Sequence, residues 1–69
     1  MPHAAIAMIP GRSEETKRAL AEKVQRLIME ELHMEAKYVS VSIEEIPAEH
    51  WHDFLDEINP KNMYIAADF

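Results

Sequence analysis

Met1-Pro2-His3-Ala4-Ala5-Ile6-Ala7-Met8-Ile9-Pro10-Gly11-Arg12-Ser13-Glu14-Glu15 is the stretch that decides how this chain folds. The run from His3 to Ile9 is apolar, too short for a helix, and closed by Pro10-Gly11. Alternation places Ala4, Ile6 and Met8 on one face and Ala5, Ala7 and Ile9 on the other, which predicts a strand buried on both sides. Pro10-Gly11-Arg12 reads as a turn, and Ser13 is a good N-cap for a following helix. Glu14 and Glu15 then fall in the first helical turn, where the macrodipole favours negative charge. One helix covers one face of a sheet, so the second apolar face calls for cover from elsewhere.

Working outward, Leu20, Val24, Leu27, Ile28 and Leu32 recur at helical spacing with Ala21 beside them, predicting a helix from Glu14 to His33. Glu14-Arg18 and Glu22-Arg26 are i, i+4 pairs in the favourable orientation. Tyr38 to Glu44 alternates, with Val39, Val41 and Ile43 facing one way and Ser40, Ser42 and Glu44 the other, which predicts a half-buried strand. Two strands joined through a long helix make a parallel, right-handed β-α-β unit. Pro47 opens a second helix whose Trp51, Phe54, Leu55 and Ile58 form one apolar stripe, stopped by Asn59-Pro60. The expected architecture is therefore a single α/β domain over residues 1–69, with a short second helix.

Sixty-nine residues bury little surface, and domains of this size lean on disulfides, metals or association. The sequence has no cysteine and four scattered histidines, which leaves self-association. A lone two-stranded sheet would also expose an apolar face and both edges, so at least a homodimer is expected to complete it. The net charge of -6 argues against nucleic acid as a partner. No apolar run approaches the roughly 20 residues that span a bilayer, and no signal peptide is recognisable. These features predict a soluble, cytoplasmic protein.

Few residues are candidates for chemistry. His50 and His52 stand about 200° apart on a helix and do not converge on one metal ion. With one glycine there is no phosphate-binding loop, and Ser40 and Ser42 lie in a strand rather than a nucleophile elbow. Pro2 is different. Initiator Met is commonly removed before a small residue, and the exposed proline amine would have an ordinary value of about 7.7–8.0, lowered by burial or a nearby cation. Such an amine takes and returns protons near neutral pH. Arg12, just ahead of a helix, suits carboxylate through paired hydrogen bonds, and equally suits a solvated turn.

Met-Pro-His with a short apolar strand, Pro10-Gly11-Arg12-Ser13-Glu14-Glu15, Lys17 and Leu20 in the helix, and Tyr38 to Glu45 together resemble the 4-oxalocrotonate tautomerase superfamily. Ile46-Pro47-Ala48-Glu49-His50-Trp51 is similar to the branch with a short helix after the second strand, and the resemblance covers about residues 1–58. It implies a β-α-β tautomerase fold whose sheet is completed by oligomerisation, as dimers or hexamers. It implies Pro2 as the catalytic base, Arg12 as the substrate's anion-binding residue, often reaching into a neighbouring subunit's site, and Trp51 as the aromatic that closes the pocket. No cofactor or metal is implied.

One position departs from the family: Ser40 stands where the hexameric type has a second substrate-binding arginine. That disfavours a dicarboxylate such as 2-hydroxymuconate, and suits a monocarboxylate enol of the phenylpyruvate type. Carbonyl polarisation then falls to a backbone N–H, a water or Ser40 itself. The chain beyond Asn59 also differs from the hexamer's terminal hairpin, which favours a dimer. The expected function is an isomerase interconverting enol and keto forms of a small 2-oxo acid. Two alternatives stand beside it: a hydratase or dehalogenase using Glu45 or Glu49 to activate water, and a non-catalytic binding or assembly module.

Overall fold

The computed structural model describes residues 1–68. Strand β1 (His3–Met8) leads through the Pro10–Arg12 turn into helix α1 (Glu14–Leu32), a 3-10 turn (Ala36–Tyr38) and strand β2 (Ser40–Glu45). A second 3-10 turn (Ala48–His50) runs into the short helix α2 (Trp51–Asp56), and a third (Pro60–Asn62) follows. The two strands pair in parallel, with His3 opposite Ser40 and Met8 opposite Glu45, as the long crossover helix requires.

Local chemistry explains the boundaries. The Ser13 hydroxyl accepts from the Thr16 backbone N–H at 3.1 Å and caps α1. Gly11, at φ 135°, occupies the positive-φ conformation that the tight turn ahead of that cap needs. The helix ends at Leu32, one residue short of the predicted His33. His33 instead takes the left-handed conformation and donates its N–H to Met29 O, a common way to stop a helix.

The second strand begins at Ser40, two residues later than the alternation predicts. Tyr38 belongs to the 3-10 turn, in which Val39 N–H donates to Ala36 O. The Gln25 side-chain amide, reaching from α1, donates to Ala36 O and Val39 O at 3.2 Å each and so holds that turn in place. Pro47 likewise opens a 3-10 turn rather than the second helix, which starts at Trp51 and stops at Asp56, before Ile58.

The face of α1 that meets the sheet is Lys17, Ala21, Val24, Gln25, Ile28 and Met29. It overlaps the predicted stripe only in part: Leu20 lies at its edge, and Leu27 and Leu32 are 57% and 55% exposed. Two strands about 4.8 Å apart make a sheet too narrow for a helix with so wide an apolar face. Glu14 pairs with Lys17 at 2.9 Å rather than with Arg18. Among the described residues only Val39 (6%) and Ile46 (9%) are buried apolar side chains. A chain that is 48% hydrophobic thus leaves many of its apolar side chains only partly covered.

Beyond the β-α-β body, α2 packs on the 3-10 turn before it, and Trp51 stacks on Phe54 with ring centroids 5.8 Å apart. The radius of gyration is 13.5 Å, against about 11 Å expected for this length, so the chain is extended. In the tail, Met63 is half-buried, while Tyr64 and Ile65 project into solvent.

Candidate active site

Pro2 precedes β1 and is half-buried, with Met1 beyond it fully exposed. Its carbonyl accepts from Ser40 N–H at 3.3 Å, the first bond of the parallel ladder, so strand pairing reaches to the residue before β1. Ser40 and Ser42 project from the sheet face opposite α1. Between them lies the His3 imidazole, with Nδ1 2.6 Å from Ser40 Oγ and Nε2 2.9 Å from Ser42 Oγ. The sequence alone assigns His3 no role. The signal that would have found this cluster is the register, because His3 and Ser40 are opposite each other and share a face.

At the other end of β1 a shallow cavity of about 250 Å³ is lined by Ala7, Met8, Ile9, Arg12 and Trp51. Arg12 enters it from the turn, its Nη1 donating to Ile9 O at 3.2 Å, and is otherwise exposed. Trp51 enters from the start of α2 and forms an apolar wall. A guanidinium at the mouth of a mostly apolar pocket is suited to a small carboxylate with a hydrophobic tail. A second cavity, of about 390 Å³, lies between Leu55, Asp56, Ile58, Pro60 and Met63 and contains none of the sequence-predicted site residues.

The carboxylates near the Arg12 end are partly committed. Lys17, with 16% of its side chain exposed, bridges Glu14 at 2.9 Å and Glu45 at 3.3 Å. Donating a hydrogen bond to Glu14 raises the Lys17 ammonium above its ordinary value, burial opposing it, and the same bond holds the Glu14 carboxyl below the usual range. Glu45 is therefore tied to a cation, whereas Glu49 is exposed in the 3-10 turn before α2.

The structure brings Arg12 and Trp51 together, and Pro2 and Ser40 together, but not the two pairs. They lie at opposite ends of a six-residue strand, and at about 3.3 Å per residue Pro2 and Ile9 are roughly 20 Å apart.

A sequence model of the family described as "Tautomerase enzyme" matches residues 2–53, three quarters of the chain. The chain belongs to the tautomerase family. Among curated relatives it is 45% identical over 51 residues to a 2-hydroxymuconate tautomerase of Comamonas testosteroni, covering 74% of this chain and 81% of that one. It is 43% identical over the same span to a 2-hydroxymuconate tautomerase of Pseudomonas putida, with the same coverage. A probable tautomerase of Bacillus cereus is 39% identical over 51 residues, 74% of this chain and 84% of that one. This tautomerase is accordingly an isomerase of the 4-oxalocrotonate tautomerase superfamily, and its β-α-β unit with a short second helix is that fold. The matched span begins at Pro2 and takes in Arg12, Ser40 and Trp51. Among its described residues no helix is long and apolar enough to cross a membrane.

Proposed function

We propose that this tautomerase interconverts the enol and keto forms of a small 2-oxo acid, using the Pro2 amine as general acid/base after Met1 is removed, in a site shared between two copies of the chain. The observation that carries the reading is the division of the site residues between the two ends of β1. In the two-stranded sheet β1 has an unpaired edge, and its residues His3–Met8 include no Lys, Arg, Asp or Glu. The free edge of β2 ends in Glu44 and Glu45, charges that discourage edge pairing. Two-fold pairing of β1 with β1 is antiparallel. It lays the Met8–Arg12 end of a second copy beside this chain's Pro2, giving that amine an arginine and a tryptophan wall. The scarcity of buried apolar residues in one chain supports the same association. A dimer meets this requirement and a hexamer built from such dimers also would.

In that setting Arg12 holds the substrate carboxylate by two parallel hydrogen bonds, and Trp51 excludes water. Neutral Pro2 takes the proton from the enol hydroxyl. The C–O bond becomes C=O as the enol π pair accepts a proton at C3 from the Pro2 ammonium, so the amine is regenerated. Apolar surroundings and a neighbouring guanidinium both favour the neutral amine. Two relatives are named for 2-hydroxymuconate. Here Ser40, hydrogen-bonded to His3, provides no second cation, which favours a monocarboxylate such as phenylpyruvate enol.

The test is the intact mass of the purified protein beside phenylpyruvate enol ketonisation by wild type and Pro2→Ala. Loss of Met1 with a fall of roughly 100-fold or more in Pro2→Ala is expected. Retained Met1, or turnover indifferent to Pro2, would sink the amine mechanism and favour a binding module. A hydratase would show activity falling above the amine's pKa rather than below it. That reading is weakened by the commitment of Glu45 to Lys17.

A further inference from the structure

The sheet face turned away from α1 carries His3, Ala5 and Ala7 from β1 and Ser40, Ser42 and Glu44 from β2. The two alanines leave its centre low and open, so the His3 ring lies across the strands with both nitrogens on serine hydroxyls. This cluster is beside Pro2 in the ladder, since Ser40 N–H binds the Pro2 carbonyl and neighbouring strands are about 4.8 Å apart. It lies in the half of the site that lacks the arginine.

A neutral imidazole has one N–H and one lone pair, so the two serines are bound in opposite senses. With the proton on Nδ1, His3 donates to Ser40 Oγ and receives the Ser42 hydroxyl at Nε2. Ser40 then keeps its own hydrogen to give away. With the proton on Nε2 the directions reverse, and the Ser40 hydrogen is used on the ring. Only the first arrangement forms a chain in which the donors run one way, from Ser42 through His3 to Ser40, each bond polarising the next.

We propose that His3 is a positioning residue for the reaction: it orients and polarises Ser40 so that the Ser40 hydroxyl donates to the substrate's enol or keto oxygen beside Pro2, with Ser42 fixing the ring tautomer. This rests on the tautomerase mechanism given above. It supplies the carbonyl-polarising group, a neutral donor in place of a second cation. Such a donor gains most where charge develops on oxygen in the transition state, so it acts on kcat more than on KM.

The experiment measures kcat and KM for phenylpyruvate enol ketonisation in His3→Ala, His3→Asn, Ser40→Ala, Ser42→Ala and the His3→Ala/Ser40→Ala double variant, with Pro2→Ala alongside. His3→Ala and Ser40→Ala are each expected to lower kcat roughly five- to tenfold with KM within about twofold, as loss of one neutral hydrogen bond predicts. The double variant should be no slower than Ser40→Ala, because His3 acts only through Ser40. His3→Asn should recover most of the loss, since its amide N–H takes the place of Nδ1–H, and Ser42→Ala should cost about twofold. The His3, Ser40 and Ser42 side chains are exposed, so thermal midpoints of their variants should stay together. Wild-type kcat in His3→Ala, losses that multiply in the double variant, or no recovery with Asn would each overturn the role of His3. If those results accompany turnover that still depends on Pro2, only the His3 inference fails. Turnover indifferent to Pro2 overturns both.

Discussion

On the proposed mechanism, the two ends of β1 carry different halves of one chemistry. At its start, Pro2 is bonded to β2 through Ser40, and His3, Ser40 and Ser42 form a neutral polar cluster on open sheet. At its finish, Arg12 and Trp51 enclose a small cavity that carries a cation and an apolar wall. Neither end suffices for acid/base work on a carboxylate substrate. The first has no arginine for the carboxylate, and the second lacks the Pro2 amine. A strand that separates complementary parts by roughly 20 Å suits a site assembled between chains, because antiparallel pairing exchanges its ends.

The largest effect available tests that exchange directly. Assayed well below the wild-type KM, Pro2→Ala and Arg12→Ala proteins should each keep no more than roughly a tenth of wild-type activity alone. Denatured together at equal concentration and refolded as a mixture, they should recover roughly a quarter of wild-type activity, since about half the dimers would be mixed and each would hold one intact site of two. Ketonisation assays on the mixture and on the separate proteins make the comparison. Activity no greater than the sum of the separate proteins would show that Pro2 and Arg12 do not meet across a two-fold pairing.

A smaller effect separates binding from proton transfer. Arg12→Ala removes charge-assisted bonds to the substrate carboxylate, which exist in both ground and transition states. KM should therefore rise roughly 10- to 100-fold while kcat changes much less. Arg12→Lys should recover only part, because an ammonium lacks the two-pronged geometry. An Arg12→Ala variant whose kcat falls at unchanged KM would move the arginine from substrate binding to the chemical step.

Much of this was legible in the sequence for identifiable reasons. The period-2 alternation of Val39, Val41 and Ile43, and the Ser13 cap ahead of a long helical stripe, are local signals, and they placed the β-α-β unit. What was not legible depends on contacts distant in sequence. Gln25 draws residues 36–39 into a 3-10 turn and delays β2 to Ser40. The apolar stripe of α1 carries no information about sheet width, which leaves Leu27 and Leu32 outside. Arg12, Trp51, Pro2 and Ser40 were recognisable as a set from the family resemblance. Their separation into two groups follows only once the strand is known to run straight between them. His3 was passed over because its partners lie 37 and 39 residues away and become neighbours only through the parallel register.

The smallest effect concerns the cation beside the Arg12 end. Lys17 ties the first turn of α1 to the end of β2 through Glu14 and Glu45. Its folded-state pKa is raised above 10.5, so its contribution to stability is fully present below 10.5 and is lost as pH climbs through the raised folded-state value. Glu14 is shifted below 4.5, so its contribution is fully present above 4.5 and disappears as pH falls through the lowered value. Between those limits the pair acts at full strength, though on so exposed a carboxylate the effect is small and salt-sensitive. Thermal midpoints of wild type and Lys17→Met, compared across pH at low salt, should differ by a modest constant amount between 4.5 and 10.5. The gap should close on both sides of that window. Midpoints that coincide at every pH would show that Lys17 supports the α1–β2 junction through its aliphatic stem, which Met retains, rather than through its charge. The Arg12 end would then be held by packing alone, with no more electrostatic bracing than the neutral Pro2 end.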